Sequence, residues 1–423
     1  HYYISQRRHI MPRFNKKILA GVAAVLVLSA AGAALLLRTP AIPVSGQSEP
    51  AASSAPQSEL SQPATPPPAP EPPAPPPPKK ATLVAVGDNL IHNTIYQQAA
   101  ARATNGGYDF APAYRRIAPL IAGADFAFIN QETVLAGSIA PPASYPMFNS
   151  PTEVGDTVLD LGFNLISTAN NHCFDKWEKG LVANLAYWDD KPRVAVAGTY
   201  RNATERNRIA ALTKNGITVS MVAATQYTNG LALQDGSEAG VNLLSELDWL
   251  CEQIKAAREV SDFVICSLHW GDEGSGTPNL FQKETAKRVA AAGADLILGH
   301  HPHVLQGGEW LDTEAGRSYV IYSLGNFISA QSHAFNMAGG VLNLELTMEQ
   351  GERAKIVPES VKFLPTVTHY GSGYSDLCLY PLSEYTPELA AAHGVRSIDP
   401  EFGYDYLEAQ LANLQFNSEP AFH

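Results

Sequence analysis

Six short apolar segments of this sequence each end in residues that can bind a metal ion or transfer a proton. The pairs are LVAV with GDNLIH, FAFI with NQET, LIST with ANNHCFD, VICSL with HWGDE, LIL with GHHPH, and VIYSL with GNF. In α/β sheets, ligands bind in the crevice at the carboxyl ends of the strands, so we expect these clusters to converge there. The sequence therefore predicts one shared site.

The residue types in these clusters predict a transition-metal site. The candidate ligands are Asp88, Glu132, Asn170 or Asn171, His269, His301 and His303. Carboxylate and amide oxygens together with imidazoles suit Mn, Fe or Zn better than a soft thiolate site would. Two such ions ~3.5 to 4 Å apart can stabilise the attacking and leaving oxygens of an in-line displacement. We therefore expect one or two divalent transition-metal ions as the cofactor.

The segment LILGHHPH places three histidines within four positions. In an extended chain, side chains at positions i and i+2 lie on the same side. This spacing predicts that His301 and His303 bind metal together, while His300 packs elsewhere or supports a ligand. A single Asp after a strand, such as Asp88, more often caps a helix or a turn, so its assignment depends on the other clusters.

The elements that must position these residues follow an α/β pattern. Short, continuous apolar segments, typical of strands buried on both faces, alternate with segments whose apolar residues have helical spacing. The predicted strands are ATLVAV, DFAFI, FNLIST, RVAVAG, ITVSMVAA, DFVICSL, ADLIL and SYVIYSL. The predicted helices are EKGLVANLAYWDD, LSELDWLCEQIKAARE and LFQKETAKRVAAAG. Two later segments, GGVLNLELTM and IVPESVKFLPT, are expected to form antiparallel strands.

The first 80 residues differ in composition from the rest. Residues 18–37 carry no charge, which is about the length of a helix that spans a bilayer. Five Lys or Arg residues lie within residues 1–17, so the positive-inside tendency puts this basic tail in the cytoplasm. A cleaved signal peptide, with AGA at residues 31–33 as a weak cleavage site, is the alternative.

Residues 38–80 are predicted to form a disordered, proline-rich linker. Residues 40–80 hold 15 of the 31 prolines and no aromatic residue, a composition that favours extended chain over a packed core. Residues 81–423 would then form an extracellular domain on a single-pass membrane protein. The linker would hold that domain away from the cell membrane.

The predicted domain is strongly acidic. The chain has 29 Lys or Arg residues, of which 8 lie within residues 1–80, and 41 Asp or Glu residues, of which 3 lie there. Residues 81–423 therefore carry a net charge of −17. This balance disfavours nucleic acid as a partner, and an anionic substrate would need bound metal to attract it. The four cysteines show no CxxC spacing and do not predict a disulfide framework, although one bridge stays open.

Several of these motifs resemble the bacterial capsule-synthesis CapA family of poly-γ-glutamate biosynthesis. The matching strings are VGDNL, INQET, GFNLISTANNHCFD, HWGDE, AGADLILGHHPHVLQGGEW and YSLGNF, in that order from about Ala81 to about Ile328. That family is similar in fold to the calcineurin-like metallophosphoesterases. The resemblance implies a four-layer αββα sandwich with a dinuclear-type metal site.

The resemblance also implies roles for individual residues. Asp88 would be the first metal ligand, Glu132 a bridging or second carboxylate, and Asn171 the metal-binding amide. His269, His301 and His303 would complete the ligands. His172 would face the phosphate and, with Asp88, be catalytic by protonating a leaving group or stabilising developing charge. Residues expected to bind substrate or to support the ligands are Asn130, Asn170, His300, Trp270 and Asn326.

The sequence departs from these patterns at two positions. The phosphoesterase pattern begins Asp-x-His, but Leu90 stands two residues after Asp88 and His92 lies out of register. We therefore expect either a weak first metal position or a single ion. Trp177 stands where the CapA-like pattern has glycine. Asp272 and Glu273 are acid-base candidates, although a solvated loop is the favoured interpretation.

Three functions remain open at this stage. The first is an exported, metal-dependent hydrolase of capsule synthesis that acts on a phosphoester, or on the amide bonds or carrier of an anionic polymer. The second is a non-catalytic factor that binds such a polymer for assembly or export, together with other capsule synthesis proteins. The third is a general exported metallophosphoesterase. A domain without metal is disfavoured by the number of candidate ligands.

Overall fold

The computed structural model describes residues 76–104, 106–416 and 421–422. The predicted basic tail, the predicted membrane helix at residues 18–37 and nearly all of the predicted linker lie outside these residues. Within the described ranges, no helix has the length and apolar character needed to cross a membrane.

The strands and helices of the described residues alternate along most of the chain. The strands are β1 (Lys79–Asn89), β2 (Phe126–Asn130), β3 (Leu165–Ser167), β4 (Ala195–Ala197), β5 (Thr199–Tyr200), β6 (Ala210–Lys214), β7 (Ile217–Thr225), β8 (Gly240–Val241), β9 (Phe263–His269), β10 (Leu296–His300), β11 (Leu305–Thr313), β12 (Gly316–Leu324), β13 (Asn326–Ile328), β14 (Ala338–Met348), β15 (Lys355–Ile356), β16 (Lys362–His369), β17 (Cys378–Pro381) and β18 (Ala421–Phe422). The helices are α1 (Asn93–Arg102), α2 (Ala111–Tyr114), α3 (Ala118–Ile121), α4 (Glu153–Asp160), α5 (Trp177–Asp189), α6 (Ala203–Arg206), α7 (Leu247–Val260), α8 (Leu280–Ala292), α9 (Pro387–Ala392) and α10 (Tyr404–Ala412). All eight predicted strands and all three predicted helices are confirmed.

Most of the strands form two mixed sheets. The first sheet has the order β17, β16, β14, β1, β2, β3, β4, with β13, β15 and β18 paired at its sides, and the second has the order β11, β12, β10, β9, β7, β6. Strands β1, β2 and β3 are parallel, and so are β7, β9, β10 and β12. The predicted late strands are antiparallel, because β14 pairs with β1 and with β16 in antiparallel register. A short pair, β5 with β8, lies outside both sheets.

The two sheets pack face to face, and helices α7 and α8 cover the outer face of the second sheet. Strand β9 shows this arrangement, because Phe263 and Ile265 belong to the core between the sheets, whereas Val264 and Cys266 pack with α7 and α8. Burial on both faces accounts for the continuous apolar segments in the sequence. The chain therefore has the predicted α/β class.

Local sequence signals fix the ends of α8, which lies on the second sheet. Asn279 caps the first turn through a reciprocal capping box with Gln282, and Gly293 ends the helix with a φ of 108°. A left-handed φ is accessible to glycine without a Cβ clash, which explains glycine at this position. The chain then enters β10 and delivers the three-histidine segment to the end of the second sheet.

All four cysteines are buried and unpaired. Cys266 lies in the outer core beneath α7 and α8, as a small apolar residue would. The disulfide bridge that the sequence left open is therefore absent from these four residues.

Candidate metal centre

Asp88 lies at the end of β1 and is fully buried. Its Oδ1 accepts a hydrogen bond of 2.7 Å from Asn130 Nδ2, and its Oδ2 accepts one of 3.2 Å from the backbone N–H of His301. His303 Nδ1 lies 3.2 Å from the same Oδ2. Asp88 is therefore part of a polar cluster between the two sheets, and it does not cap α1.

Glu132, two residues beyond β2, is buried without a hydrogen-bond partner. Neither carboxylate oxygen has a donor among the residues that the structure describes. The nearest imidazoles are those of His269 and His303, whose Nε2 atoms each lie 3.6 Å from Glu132 Oε1. A buried carboxylate is unfavourable unless a positive charge or donors compensate for its lost hydration. Glu132 therefore lacks a partner that a bound cation would supply.

Asn171 and His269 bring two further ligand atoms to this cluster. His269 ends β9, and its Nε2 lies 2.9 Å from Asn171 Oδ1 and 3.1 Å from His301 Nδ1. The sequence left Asn170 and Asn171 open as alternatives. Asn170 instead bonds the backbone at Gln131 O and at His172 N, so it braces the loop after β3.

The turn after β10 carries His301 and His303 into the same cluster. Their backbones have φ values of 94° and 54°, in the left-handed region. The two side chains meet in the cluster as expected, but the chain between them is not extended, so the expected reason was wrong. A tight left-handed turn brings the two rings to a centroid distance of 6.0 Å. Strain of this kind persists where surrounding contacts hold it, commonly at functional sites.

Burial and mutual charge set the pKa values of the cluster. Burial raises the pKa of Glu132 well above its usual value. Burial also raises the pKa of Asp88, but the imidazoles of His300 and His303 outweigh it and hold that pKa well below its usual value. Burial lowers the pKa of His303, yet the carboxylates of Glu132 and Asp88 raise it to about 10. Burial, aided by the charge of His303, lowers the pKa of His301 to about 3.

The arrangement fits a divalent transition metal. Ligand atoms of Asp88, Glu132 and His303 lie within 4.8 Å of one another, and so do those of Glu273, His301 and His303. Opposite ligands of one ion with bonds of ~2.0 to 2.2 Å lie ~4 Å apart, so small movements would bring either group to bonding distance. The unpartnered carboxylate of Glu132 supports this fit. His303 belongs to both groups.

A second pair, His172 and Asp175, lies beside this cluster. His172 Nδ1 donates a hydrogen bond of 2.8 Å to Asp175 Oδ2, and both side chains are buried. The His172 ring packs edge-on against Phe148 at 4.7 Å. Because Asp175 holds Nδ1, the other ring nitrogen, Nε2, is left for proton transfer.

The structure places the expected supporting residues in different environments. Asn130 bonds Asp88 as described above, and Asn326 Oδ1 lies 3.0 Å from His303 Nδ1. His300 Nδ1 lies 3.5 Å from Asp88 Oδ1, and its ring stacks on Phe128 at 5.4 Å. These three residues support the candidate ligands.

The expectation for Trp270 as a substrate-binding or supporting residue is corrected. Its indole N–H donates to Tyr322 O at 3.0 Å, and its ring packs in the outer core beneath α7 and α8. The physical reason is the alternation of side chains along β9. His269 faces the first sheet, so the next residue points to the helix layer.

Sequence reasoning missed one residue of the site, Asn229. Glu273, an acid-base candidate expected on a solvated loop, is exposed as expected and also lies close to His301 and His303. Asn229 follows β7, and its Oδ1 accepts from Asn171 Nδ2 at 3.2 Å. Asn229 has a φ of 52° and lies in a loop after β7. The pair Asn229-Gly230 is a local signal for a turn, but no pattern indicated a role in the site.

The structure shows what stands in place of the histidine of the Asp-x-His pattern. Leu90 is buried, and His92 Nδ1 accepts from the backbone N–H of Ala330 at 3.3 Å, while His92 is absent from both groups of close ligand atoms. The first metal position therefore lacks that imidazole, as the sequence predicted.

Comparisons with known proteins agree with the motifs. Residues 82–331 match the family described as "Bacterial capsule synthesis protein PGA_cap". The chain is 28% identical over 199 residues to the PGA biosynthesis protein CapA of Bacillus subtilis (strain 168), covering 47% of this chain and 51% of that protein. It is 26% identical over 263 residues to the capsule biosynthesis protein CapA of Bacillus anthracis, covering 60% of this chain and 61% of that protein. The match thus spans between half and two thirds of the length of these relatives.

Among solved structures, the chain is similar to the NAD nucleotidase of Haemophilus influenzae. The TM-score is 0.41 at 10% sequence identity, and the match covers 79% of this chain and 59% of that chain.

Proposed function

This chain belongs to the bacterial capsule synthesis protein PGA_cap family, and we propose that it acts in capsule biosynthesis through a metal-dependent, hydrolase-type site. The fold we assign is the four-layer, metallophosphoesterase type. The observation that carries the proposal is the buried, unpartnered Glu132 carboxylate between His269 and His303. The proposed substrate is a phosphoester, or the amide bonds or carrier of an anionic polymer of the poly-γ-glutamate kind.

Six side chains would hold the metal, as one or two ions of Mn, Fe or Zn. They are Asp88, Glu132, Asn171, His269, His301 and His303. When bound, such an ion supplies Lewis-acid activation and neutralises charge on the reacting group. It would also attract an anionic substrate to a domain that is otherwise acidic.

His172 would donate a proton to the leaving group. Asp175 accepts a hydrogen bond from His172 Nδ1 at 2.8 Å, which orients the ring. Nε2 could then donate a proton to a departing oxygen or nitrogen atom. Asp88 would be catalytic through the metal that it holds, since its oxygens face His301 and His303.

The first test is hydrolysis by the full chain of p-nitrophenyl phosphomonoester and phosphodiester substrates and of poly-γ-glutamate, after loading with Mn, Fe or Zn. We expect His172→Ala to lower turnover by roughly 10²- to 10⁴-fold while metal content stays unchanged, because a general acid contributes that much. His333→Ala, a change at an exposed histidine outside the centre, is the matched control. Equal turnover in His172→Ala and wild type would contradict the assigned role. Hydrolysis of the phosphoesters alone would favour a general metallophosphoesterase.

The second candidate is a factor that binds polymer carboxylates without turnover. The specific observation in its favour is the missing imidazole after Asp88, where Leu90 is buried and His92 points to Ala330. In that case His172→Ala would preserve capsule formation in cells, and only changes at the metal ligands would abolish it. Equal capsule formation by both kinds of variant would contradict both functions.

We also propose the location at the cell surface. Support comes from the uncharged residues 18–37, the preceding basic residues and the proline-rich residues 40–80. The N-terminus would lie in the cytoplasm, with the domain from residue 81 outside, near other capsule synthesis or export proteins. Protease treatment of intact cells would digest that domain if the topology is right, and would leave it intact if the domain lies in the cytoplasm.

A further inference from the structure

An open pocket adjoins the candidate metal centre. It has a volume of about 550 Å³, and His301, one of the six proposed ligands, lines it. The rest of its lining consists of residues 226–230, which follow β7, and residues 271–273, which follow β9. Its volume lies within the range of small-molecule sites, which is roughly 300 to 1,000 Å³. A group attached to a phosphate at the metal would therefore extend into this pocket.

The charges of the pocket lining are negative. Asp272 and Glu273 are both exposed, and none of the described residues that line the pocket is Lys or Arg. Glu273 also lies close to His301, so its charge is at the end of the pocket next to the metal centre. Like charges repel a second carboxylate brought beside them. The pocket therefore disfavours an anionic group, such as a glutamyl chain, beyond the phosphate.

The pocket lining also offers both kinds of hydrogen-bonding group. Gln226 Oε1 accepts from the backbone N–H of Gly271 at 3.0 Å, which leaves Gln226 Nε2 as a donor without an acceptor in the described part of the chain. Asp272 Oδ2 accepts from Asn279 Nδ2 at 2.8 Å, and Asp272 Oδ1 has no donor among the same residues. A hydroxyl group can donate to a carboxylate and accept from an amide, whereas an ammonium group can only donate. The lining therefore matches a group that carries several hydroxyls.

Tyr227 supplies an apolar surface to the same pocket. This residue is 39% exposed, which is unusual for a large aromatic residue. Its ring lies 5.4 Å from the His301 ring at an interplanar angle of 46°. An aromatic ring contributes a large, rigid, apolar contact area. A sugar ring has the complementary character, because its hydroxyls lie around its edge and its C–H groups form its faces.

We propose that this pocket binds a sugar that carries no negative charge and is esterified to the phosphate at the metal centre. The inference rests on the proposed hydrolase function and specifies its substrate as a sugar phosphate ester. Hydroxyls of the sugar bond to Asp272 and Gln226, and one face of the ring packs on Tyr227. In the reaction, water supplies the new oxygen on phosphorus and the bond from phosphorus to the sugar oxygen breaks. That oxygen leaves as a hydroxyl with a proton from His172.

Binding to the metal-loaded, full-length His172→Ala variant tests the pocket without turnover. Isothermal titration calorimetry would compare glucose 6-phosphate with cyclohexylmethyl phosphate, which has a ring of similar size but no hydroxyls. We expect glucose 6-phosphate to bind about 10-fold more tightly, because its hydroxyls bond to a charged carboxylate. Glucosamine 6-phosphate is the third probe, and tighter binding than that of glucose 6-phosphate would identify an amino sugar as the source of the sugar ring.

A second pair of probes tests the charge of the pocket. Glycerol 3-phosphate and 3-phosphoglycerate are similar in size, and only the second carries a carboxylate. We expect glycerol 3-phosphate to bind about 3-fold more tightly or better, since the acids of the lining are exposed and their repulsion is screened. Asp272→Asn in the same background should reduce that ratio. Asp312→Asn, at an exposed acid of β11 outside the pocket lining, is the matched control and should leave the ratio unchanged.

Two substitutions at Tyr227 test the contact with the sugar ring. Tyr227→Leu removes the aromatic ring and should weaken the binding of glucose 6-phosphate by about 3- to 10-fold. Tyr227→Phe keeps the ring and should preserve the binding. An unchanged Kd in Tyr227→Leu would overturn the role of Tyr227.

The outcomes separate this inference from the proposed function. Equal binding of glucose 6-phosphate and cyclohexylmethyl phosphate, or tighter binding of 3-phosphoglycerate than of glycerol 3-phosphate, would overturn the sugar assignment even if the wild type hydrolyses phosphoesters. A sugar preference in binding, without hydrolysis of any phosphoester by the wild type, would support the pocket and overturn the hydrolytic function. Absence of binding by every probe, together with absence of hydrolysis, would overturn both.

Discussion

Asn229 orients the amide that we assign as a metal ligand. Its Oδ1 accepts from Asn171 Nδ2 at 3.2 Å, which turns Asn171 Oδ1 toward His269 Nε2. Partners that orient a ligand typically account for about 10- to 100-fold in metal affinity. Asn229→Gly, which tolerates the φ of 52°, should therefore weaken metal binding by about 10-fold or more. Competition with a fluorescent chelator would measure this.

Asn229→Asp separates this role from a general loss of structure. The carboxylate keeps the acceptor for Asn171, so we expect the metal affinity to recover toward the wild-type value. Asn215→Gly is the control, because Asn215 has the same φ of 52° in the turn between β6 and β7. Equal metal affinity in wild type and Asn229→Gly would show that Asn171 does not depend on Asn229.

The His303 imidazole predicts proton release on metal binding. With its pKa raised to about 10 by Glu132 and Asp88 after burial has lowered it, metal-free His303 is protonated at pH 7.5. A metal ligand must be deprotonated, so binding should release the His303 proton, and also any proton that the raised pKa of Glu132 retains. Calorimetric titration of Zn²⁺ at pH 7.5 in buffers of different ionisation enthalpy would measure the number of protons released.

The raised pKa of His303 also makes the stability of the metal-free protein depend on pH. A pKa raised from the usual 6.5 to about 10 in the folded state stabilises the metal-free protein fully below pH 6.5. That contribution is lost as pH rises through about 10. Metal binding without buffer-dependent heat would contradict protonation of His303 in the metal-free protein.

Among single residues, the sequence predicted ligand types well and local geometry less well. The carboxylates and histidines at strand ends converge as expected, because parallel strands present their carboxyl ends together. The left-handed turn at His301 and His303 was not predictable, since non-glycine residues rarely adopt that conformation. Glu273 lies on an exposed loop as expected, and its approach to those histidines depends on tertiary contacts that no local pattern specifies.

At the scale of elements, the end of β1 depends on close approach to the strand-end loop at Gly325. A Cβ at Gly87 would lie 1.9 Å from Gly325 O, which is backbone and cannot move aside. Gly87→Ala should therefore lower the free energy of unfolding by about 1 to 3 kcal/mol, and should displace Asp88. Urea denaturation together with metal content would check both effects.

Gly276→Ala is the matched control for this substitution. The nearest atoms to a Cβ there lie 4.0 Å away, and its backbone is not left-handed. We expect its unfolding free energy to stay within about 0.5 kcal/mol of wild type. A similar loss in both variants would show that the close approach of Gly87 to Gly325 does not account for the effect.

The sequence also predicted the elements better than their order in the sheets. Period and apolar content identified β1, β9 and β10, because these strands are buried on both faces. The insertion of β14 beside β1, far from it in sequence, depends on long-range pairing that no local pattern encodes. Trp270 directly follows β9, and the side on which its ring lies depends on the register of that strand, which no local pattern specifies.

At the scale of the whole molecule, each sheet supplies part of the centre. Asp88 and Glu132 come from the first sheet, and His269, His301 and His303 from the second. A metal that joins ligands from both sheets would cross-link them in the folded state only. A free metal concentration of about 100 times the Kd would raise the free energy of unfolding by roughly 2.7 kcal/mol.

The central claim is that this buried cluster holds divalent transition metal, and metal content tests it most directly. The measurement is plasma mass spectrometry of the full chain after incubation with Mn, Fe or Zn and removal of free metal, alongside His301→Ala/His303→Ala. We predict one to about two ions per chain in wild type and loss of metal in the double variant. Wild-type protein that retains no metal, or a double variant that retains as much as wild type, would contradict the account.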